Sequence, residues 1–207
     1  AITQLNNLLR HPGLKRALCG KNNVINFTEA IQSGKLITVC SRKGELGIIQ
    51  SKAFGMFFIL QFQDAVLRRS GNEDSRIPHF LYIDEFPEYI NKEMDVMFTL
   101  FRKYRCGVTI AIQNLSQLDK SGTSYYRQTV LANTKTQIVF GDTVPEDSEY
   151  WNKAFGQEKK IDKDSSFDPS SGDVKRKTTI KVKDKDRFKV HKIQENKFGY
   201  IYYRTKN

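Results

Sequence analysis

The sequence predicts an α/β fold: a mostly parallel sheet flanked by helices, with a small basic β extension at its C-terminal end. Three observations carry that expectation. Short apolar runs rich in β-branched and aromatic residues alternate with segments of helical periodicity between residues 26 and 140. Strands and helices alternating at such lengths imply crossover connections and parallel pairing. With 207 residues, 39% of them hydrophobic, the chain is long enough for one buried core and an appendage.

The opening segment, AITQLNNLLRHPGLKRAL, reads as a short amphipathic helix; it lacks the continuous apolar stretch and cleavage site of a signal peptide. Asn26-Phe27-Thr28-Glu29 places a capping residue three positions before an acid, opening a helix that Gly34 closes. Leu36 to Cys40 has the composition of a buried strand, and Ser41 to Gly47 reads as a loop. From Ile48 to about Arg69, Ala53, Met56, Phe57, Leu60, Val66 and Leu67 recur at helical spacing. Gly71 to Pro78 is turn-like, and His79 to Asp84 is the second strand. The pattern then repeats: a helix over Pro87 to Tyr104, a strand over Val108 to Ile112, a helix over Tyr125 to Asn133 and a strand over Thr136 to Phe140.

Beyond Gly156 the composition changes. Gly156 to Lys175, with DSSFDPSSGD at its centre, reads as a mobile polar loop. Thr178 to Val182, Phe188 to Ile193 and Phe198 to Tyr203 read as strands, with Glu195-Asn196-Lys197 as a turn. The formal charge of +11 is concentrated here: Lys159 to Asn207 holds 15 Lys/Arg against 7 Asp/Glu, or +8 of the total. Such a tail suits a polyanion, although surface lysines also serve solubility alone. Lys181, Lys183 and Lys185 recur at every second residue, on one face of an extended chain, and are the nucleic-acid candidates. The accompanying aromatics fit strand packing better than base stacking.

Several classes are disfavoured. No apolar run approaches the roughly 20 residues of a membrane-spanning helix. Cys19, Cys40 and Cys106, like His11, His79 and His191, are scattered without metal-ligand spacing, which suits a reducing, cytoplasmic setting and proposes no Cys/His metal site.

In open parallel sheets, ligands bind beyond the carboxyl ends of the strands. There stand Asp84-Glu85, directly behind Leu81-Tyr82-Ile83, and Gln113, directly behind Thr109-Ile110-Ala111-Ile112. Paired acids at a strand end can divide labour, one orienting Mg²⁺ and its waters, the other polarising an attacking water. An acid at that place also serves as a helix cap. Gln113 can contact a terminal phosphate or the attacking water, or be a satisfied end-of-strand amide. Arg102, eleven residues earlier in Phe101-Arg102-Lys103-Tyr104-Arg105, also fits plain complementarity to a helix C-terminus.

In combination these residues resemble a family. Arg76 to Gly156 is similar to the region around Walker B in TraG/TraD-type coupling proteins of type IV secretion and conjugation, which belong with HerA and FtsK among RecA-like hexameric ATPases. The resemblance is carried by LYIDEF, FRKYRCGVTIAIQNLSQL, LANTKTQIVFG and EDSEYWNKAFG in that order, and upstream by SGKLITVCSRKGELG, over about 155 residues. It implies ATP and Mg²⁺ as cofactors, Asp84 as the Mg²⁺-side acid, Glu85 as catalytic base and Gln113 as the γ-phosphate sensor. Arg102 falls where the family has an arginine finger reaching a neighbouring subunit's nucleotide; Arg105 and Arg127 are weaker matches. It further implies DNA, single- or double-stranded, relaxase and channel proteins as partners, and a hexamer at the cytoplasmic face of the membrane.

One departure is large: the sequence has no Gly-x-x-x-x-Gly-Lys-Ser/Thr, the loop that cradles phosphates. The expectation is therefore a partial P-loop NTPase fold, a piece of a longer protein inactive by itself. Residues 1–158 would be the Walker B-to-sensor half of the ATPase domain and 159–207 a loop and basic hairpin-like tail. Two other readings stay open: the sister ATPase that energises the same channels, and a non-catalytic docking module.

Overall fold

A computed structural model describes residues 2–22, 25–119, 122–166 and 177–206. They form two compact units, Ala1–Thr134 and Lys135–Asn207.

Unit 1 begins with α1 (Ile2–Leu8) and α2 (Pro12–Cys19), two helices where one was expected. Pro12 at the first helical position explains the break, because its ring blocks continuation from the preceding turn. In α3 (Phe27–Gln32), Asn26 caps as expected, its Oδ1 accepting from Glu29 N at 3.2 Å. A single helical turn, α4 (Lys43–Leu46), leads into α5 (Ile48–Leu67), the long helix the periodicity predicts. Then come β1 (His79–Ile83), α6 (Asp95–Leu100), β2 (Cys106–Ile110) and α7 (Tyr125–Asn133). β1 and β2 pair in parallel, His79 opposite Cys106 through Ile83 opposite Ile110.

The core gathers around α5. Phe62 packs on Phe101, with ring centroids 6.3 Å apart, and Phe27 meets Phe58 edge to face at 4.7 Å. Gly55 is required here: a Cβ would run into the ring of Tyr89. At the amino end of the strand pair, arginines rather than carboxylate pairs hold the corner. Arg69, buried, donates to the carbonyls of Tyr104 (2.6 Å) and Ile77 (2.5 Å), and Arg76 donates to Lys103 O at 2.7 Å while its guanidinium lies over the Tyr104 ring. Burial pushes the Cys106 thiol up to about 12. Since the thiolate is the nucleophile, iodoacetamide near pH 8 is expected to alkylate exposed Cys19 and Cys40 and spare Cys106 until the unit unfolds, a pattern read by peptide mass spectrometry.

Unit 2 contains β3 (Thr136–Val139), α8 (Pro145–Phe155), β4 (Gln157–Ser166), β5 (Lys177–Asp186), α9 (Val190–Gln194) and β6 (Tyr202–Thr205). β3 pairs antiparallel with β6, and β4 with β5 over ten residues each. Its small core joins Val139, Trp151, Phe155 and Ile193. Phe188 bridges Phe155 (5.3 Å) and Tyr202 (4.7 Å). Asn152 Nδ2 donates to Phe188 O, and Arg204 Nη1 to Ala154 O, both at 2.6 Å.

Several expectations are corrected. Leu36 to Cys40 forms no strand; Leu36 is 91% exposed and the segment has no pairing partner among the described residues, so β propensity alone does not build a ladder. The α/β class stands, and of the mostly parallel sheet the described residues show one parallel pair, β1 with β2, beside two antiparallel pairs. The helix expected over Pro87 to Tyr104 is split, because Pro87 starts a short 3₁₀ turn (Phe86–Tyr89) and Asn91 caps a fresh start, its Oδ1 accepting from Glu93 N. Phe188 to Ile193 is largely α9 rather than a strand: Val190 and Ile193 stand three apart, on one helical face, and Ile193 is fully buried. Residues 157–166 form β4 rather than a loop. The register sets Glu158 opposite Lys185 and Lys159 opposite Asp184, but also Lys160 opposite Lys183, so charge pairing across the ladder is mixed. The centre of the expected loop, 167–176, lies outside the described residues.

Candidate active site

The geometry starts from four consecutive residues of β1 and the turn after it. Ile83 and Phe86 are buried at 7% and 1% exposure, while Asp84 and Glu85 between them are exposed. Phe86 is held edge to face by Phe98, with centroids 5.6 Å apart. Two cross-strand bonds bracket the acids: Ala111 N donates to Ile83 O at 3.0 Å, and Phe86 N donates to Ala111 O at 3.1 Å. Between these clamps Glu85 adopts a left-handed backbone, φ 49°, and its N–H donates to Asp84 Oδ1 at 2.9 Å. A non-glycine residue in that region stores strain, which concentrates at functional sites.

Continuing past β2 from Ala111, the chain reaches Gln113. Asp84, Glu85 and Gln113 line one open cavity of about 390 Å³, together with Pro87, Glu88, Ala111, Ile112 and Gln117. Three of the four residues singled out for catalysis or metal binding are thus brought together at the carboxyl ends of two parallel strands. Two residues escaped the sequence reading. Gln117 makes a reciprocal amide contact with Gln113, accepting from its main-chain N at 3.1 Å and donating from Nε2 to Oε1 at 3.4 Å. Its signal was available: Asn114 caps the turn Leu115–Leu118, accepting from Gln117 N at 3.1 Å, in the polar-x-x-Gln pattern of a capping box. Lys43, from α4, pairs with Glu85 Oε2 across 42 positions of sequence, a contact no local pattern announces.

Arg102 is not at this cavity. It lies in the 3₁₀ turn Phe101–Tyr104 before β2, exposed, at the opposite end of the strand pair. Five residues of strand separate the two ends, on the order of 15 Å. Arg105 is engaged elsewhere, donating to Asp74 O (3.2 Å) and Arg76 O (3.1 Å), and Arg127 pairs with Asp119 at 3.3 Å. Lys183 and Lys185 are exposed on β5; for Lys181 only the backbone register, opposite Asp162, is described.

Two carboxylates beside an open cavity suit Mg²⁺, which binds through one or two acids and keeps several waters. No cluster of three or more His, Cys, Asp or Glu able to hold a metal occurs among the described residues. Among those residues, too, no helix is long and apolar enough to cross a membrane.

The model of one family, the TraM recognition site of TraD and TraG, matches residues 78–195, more than half of the chain. Among solved structures, the unbound monoclinic form of the bacterial conjugative coupling protein TrwBdeltaN70 has a similar fold, with a TM-score of 0.68 at 17% identity over 90% of this chain. The match spans 42% of that protein's chain. No functionally curated protein matches the sequence. The family match falls on the segment that carries both strands of the site, the acids and Gln113: this chain belongs to the TraG/TraD family of conjugative coupling proteins.

Proposed function

We propose that this chain is the Walker B and sensor portion of an ATP-driven motor that delivers DNA, alone or bound to a relaxase, to a type IV secretion channel. The observation that supports it most is the gathering of Asp84, Glu85 and Gln113 around one cavity beyond two parallel strands. Asp84 would hold Mg²⁺, Glu85 would take a proton from the attacking water, and Gln113, steadied by Gln117, would contact the terminal phosphate. Bound ATP with Mg²⁺ supplies the phosphoryl group whose transfer drives the motor. These residues include no phosphate-gripping loop, so another segment must provide it.

Arg102 acts in trans. Its place at the far end of the strand pair from its own acids suits a head-to-tail ring, a hexamer at the cytoplasmic face of the membrane, in which each arginine serves a neighbour. Lys181, Lys183 and Lys185 are the proposed contacts to DNA phosphates, a reading that the basic charge of the tail supports. The description of the matching family adds a partner: a TraM-type protein of the DNA-processing complex is proposed to dock within residues 78–195.

The test uses the full-length protein. Arg102→Ala is expected to lower ATP turnover in assembled rings by about 10³-fold or more, the scale of an arginine finger, with nucleotide binding nearly intact. Mixing it with Glu85→Gln subunits should restore part of the turnover, because interfaces then arise that combine an intact Glu85 with an intact Arg102. Wild-type turnover by Arg102→Ala rings would remove the finger, and a full-length protein without ATPase activity would remove the motor.

A further inference from the structure

Three carboxylates, Asp84, Glu85 and Glu88, line the cavity, and no cation does. Among the described residues, the one cationic side chain that meets any of them is Lys43, through Glu85 Oε2. It is also the only side-chain partner of the Glu85 carboxylate there. Both halves of this pair stand on unusual backbone. Glu85 has φ 49°; Lys43 opens a single-turn helix bounded by Arg42 at φ 35° and Gly47 at φ 85°. Within that turn Arg42 pairs with Glu45 at 2.8 Å, and α4 runs into α5 through Gly47 alone. Hydrogen bonding to Glu85 outweighs desolvation and, with smaller contributions from the charges of Glu85, Glu88 and Tyr89, raises the Lys43 pKa above its ordinary value.

The energetic worth of this contact to folding is small, since both side chains are well exposed, 39% for Lys43 and 51% for Glu85. Its value lies in direction. A glutamate on a short, strained turn beside two other acids is repelled by both and has many rotamers to visit; a fixed ammonium selects one of them. Pairing is through Oε2; among the described residues Oε1 has no hydrogen-bond partner, so it can accept a hydrogen bond from water over the cavity.

We propose that Lys43 is a positioning residue for Glu85, holding the carboxylate over the cavity in the orientation its role as base requires. The inference rests on the reading of Glu85 as the base. In the full-length protein, Lys43→Met is expected to lower kcat about tenfold while KM for ATP stays within about twofold, because orientation of the base is lost and substrate binding is not. Lys43→Arg should retain a substantial part of kcat, and the melting temperature of both variants should stay close to wild type. A second readout needs no turnover: competitive acetylation followed by mass spectrometry should show Lys43 several-fold more reactive in Glu85→Gln than in wild type, as its ammonium loses its partner. Unchanged kcat in Lys43→Met overturns the proposal, as does increased kcat, which would make the contact a brake, or Lys43 acetylation indifferent to Glu85→Gln. If Glu85→Gln itself hydrolyses ATP normally, the reading of Glu85 as base has failed, whatever Lys43 does.

Discussion

Glu85→Gln in the full-length coupling protein is expected to reduce ATP hydrolysis by about 10²–10⁴-fold, the contribution of a positioned general base. ATP affinity should change little, because the amide keeps the volume of the carboxylate and Asp84 remains for the metal. The backbone argument makes this substitution informative. Glu85 sits in a turn held by Ile83, Phe86 and Ala111 through bonds that its side chain does not make, so the cavity survives the change. Single-turnover kinetics with a nucleotide-binding control are the measurement. Normal turnover would demote the acids to a helix cap, the bland reading that the sequence leaves open.

Phe101→Ala should have the largest effect on stability. Phe101 is 1% exposed, packs on Phe62 and belongs to the cluster that also holds Phe86 and Met97. Removing a buried aromatic ring of this kind costs about 3–5 kcal/mol, from a total that for most domains is about 5–15. Phe80→Ala is the control: that ring is 61% exposed, and the loss should be about 1 kcal/mol or less. The probe matters, because the single tryptophan, Trp151, belongs to unit 2. Unit 1 is better followed by hydrogen exchange at the β2 amides, whose protection should fall with Phe101→Ala and hold with Phe80→Ala.

What the sequence made legible was local. Ile83-Asp84-Glu85-Phe86 announces itself because two buried residues flank two exposed acids within four positions, and Gln113 because it follows an apolar run. The bounds of α5 and α7 follow from periodicity that only nearby residues determine. Contacts that join distant positions were not legible. Lys43 meets Glu85 across 42 positions of sequence, and no local pattern in Ser41 to Gly47 announces that contact. Leu36 to Cys40 has strand composition, yet a strand exists only where a neighbour offers free backbone groups. The ladder between β4 and β5 escaped for the opposite reason: charged residues fill both strands, and the alternation of apolar and polar residues that reveals most strands is missing.

The pairing of β3 with β6 bears on the order in which unit 2 can form. Thr136 faces Thr205 and Val139 faces Tyr202, so the first strand of the unit finds its partner in the last. Until residues 202–205 have left the ribosome, β3 lacks its paired strand, Phe188 lacks one of the two rings it packs against, and Ala154 O lacks the donor that Arg204 provides. The β4–β5 pair, whose strands lie close together in sequence, can close early, but closing the unit around α8 waits for β6. Losing residues 202–205 would therefore cost this unit far more than four side chains.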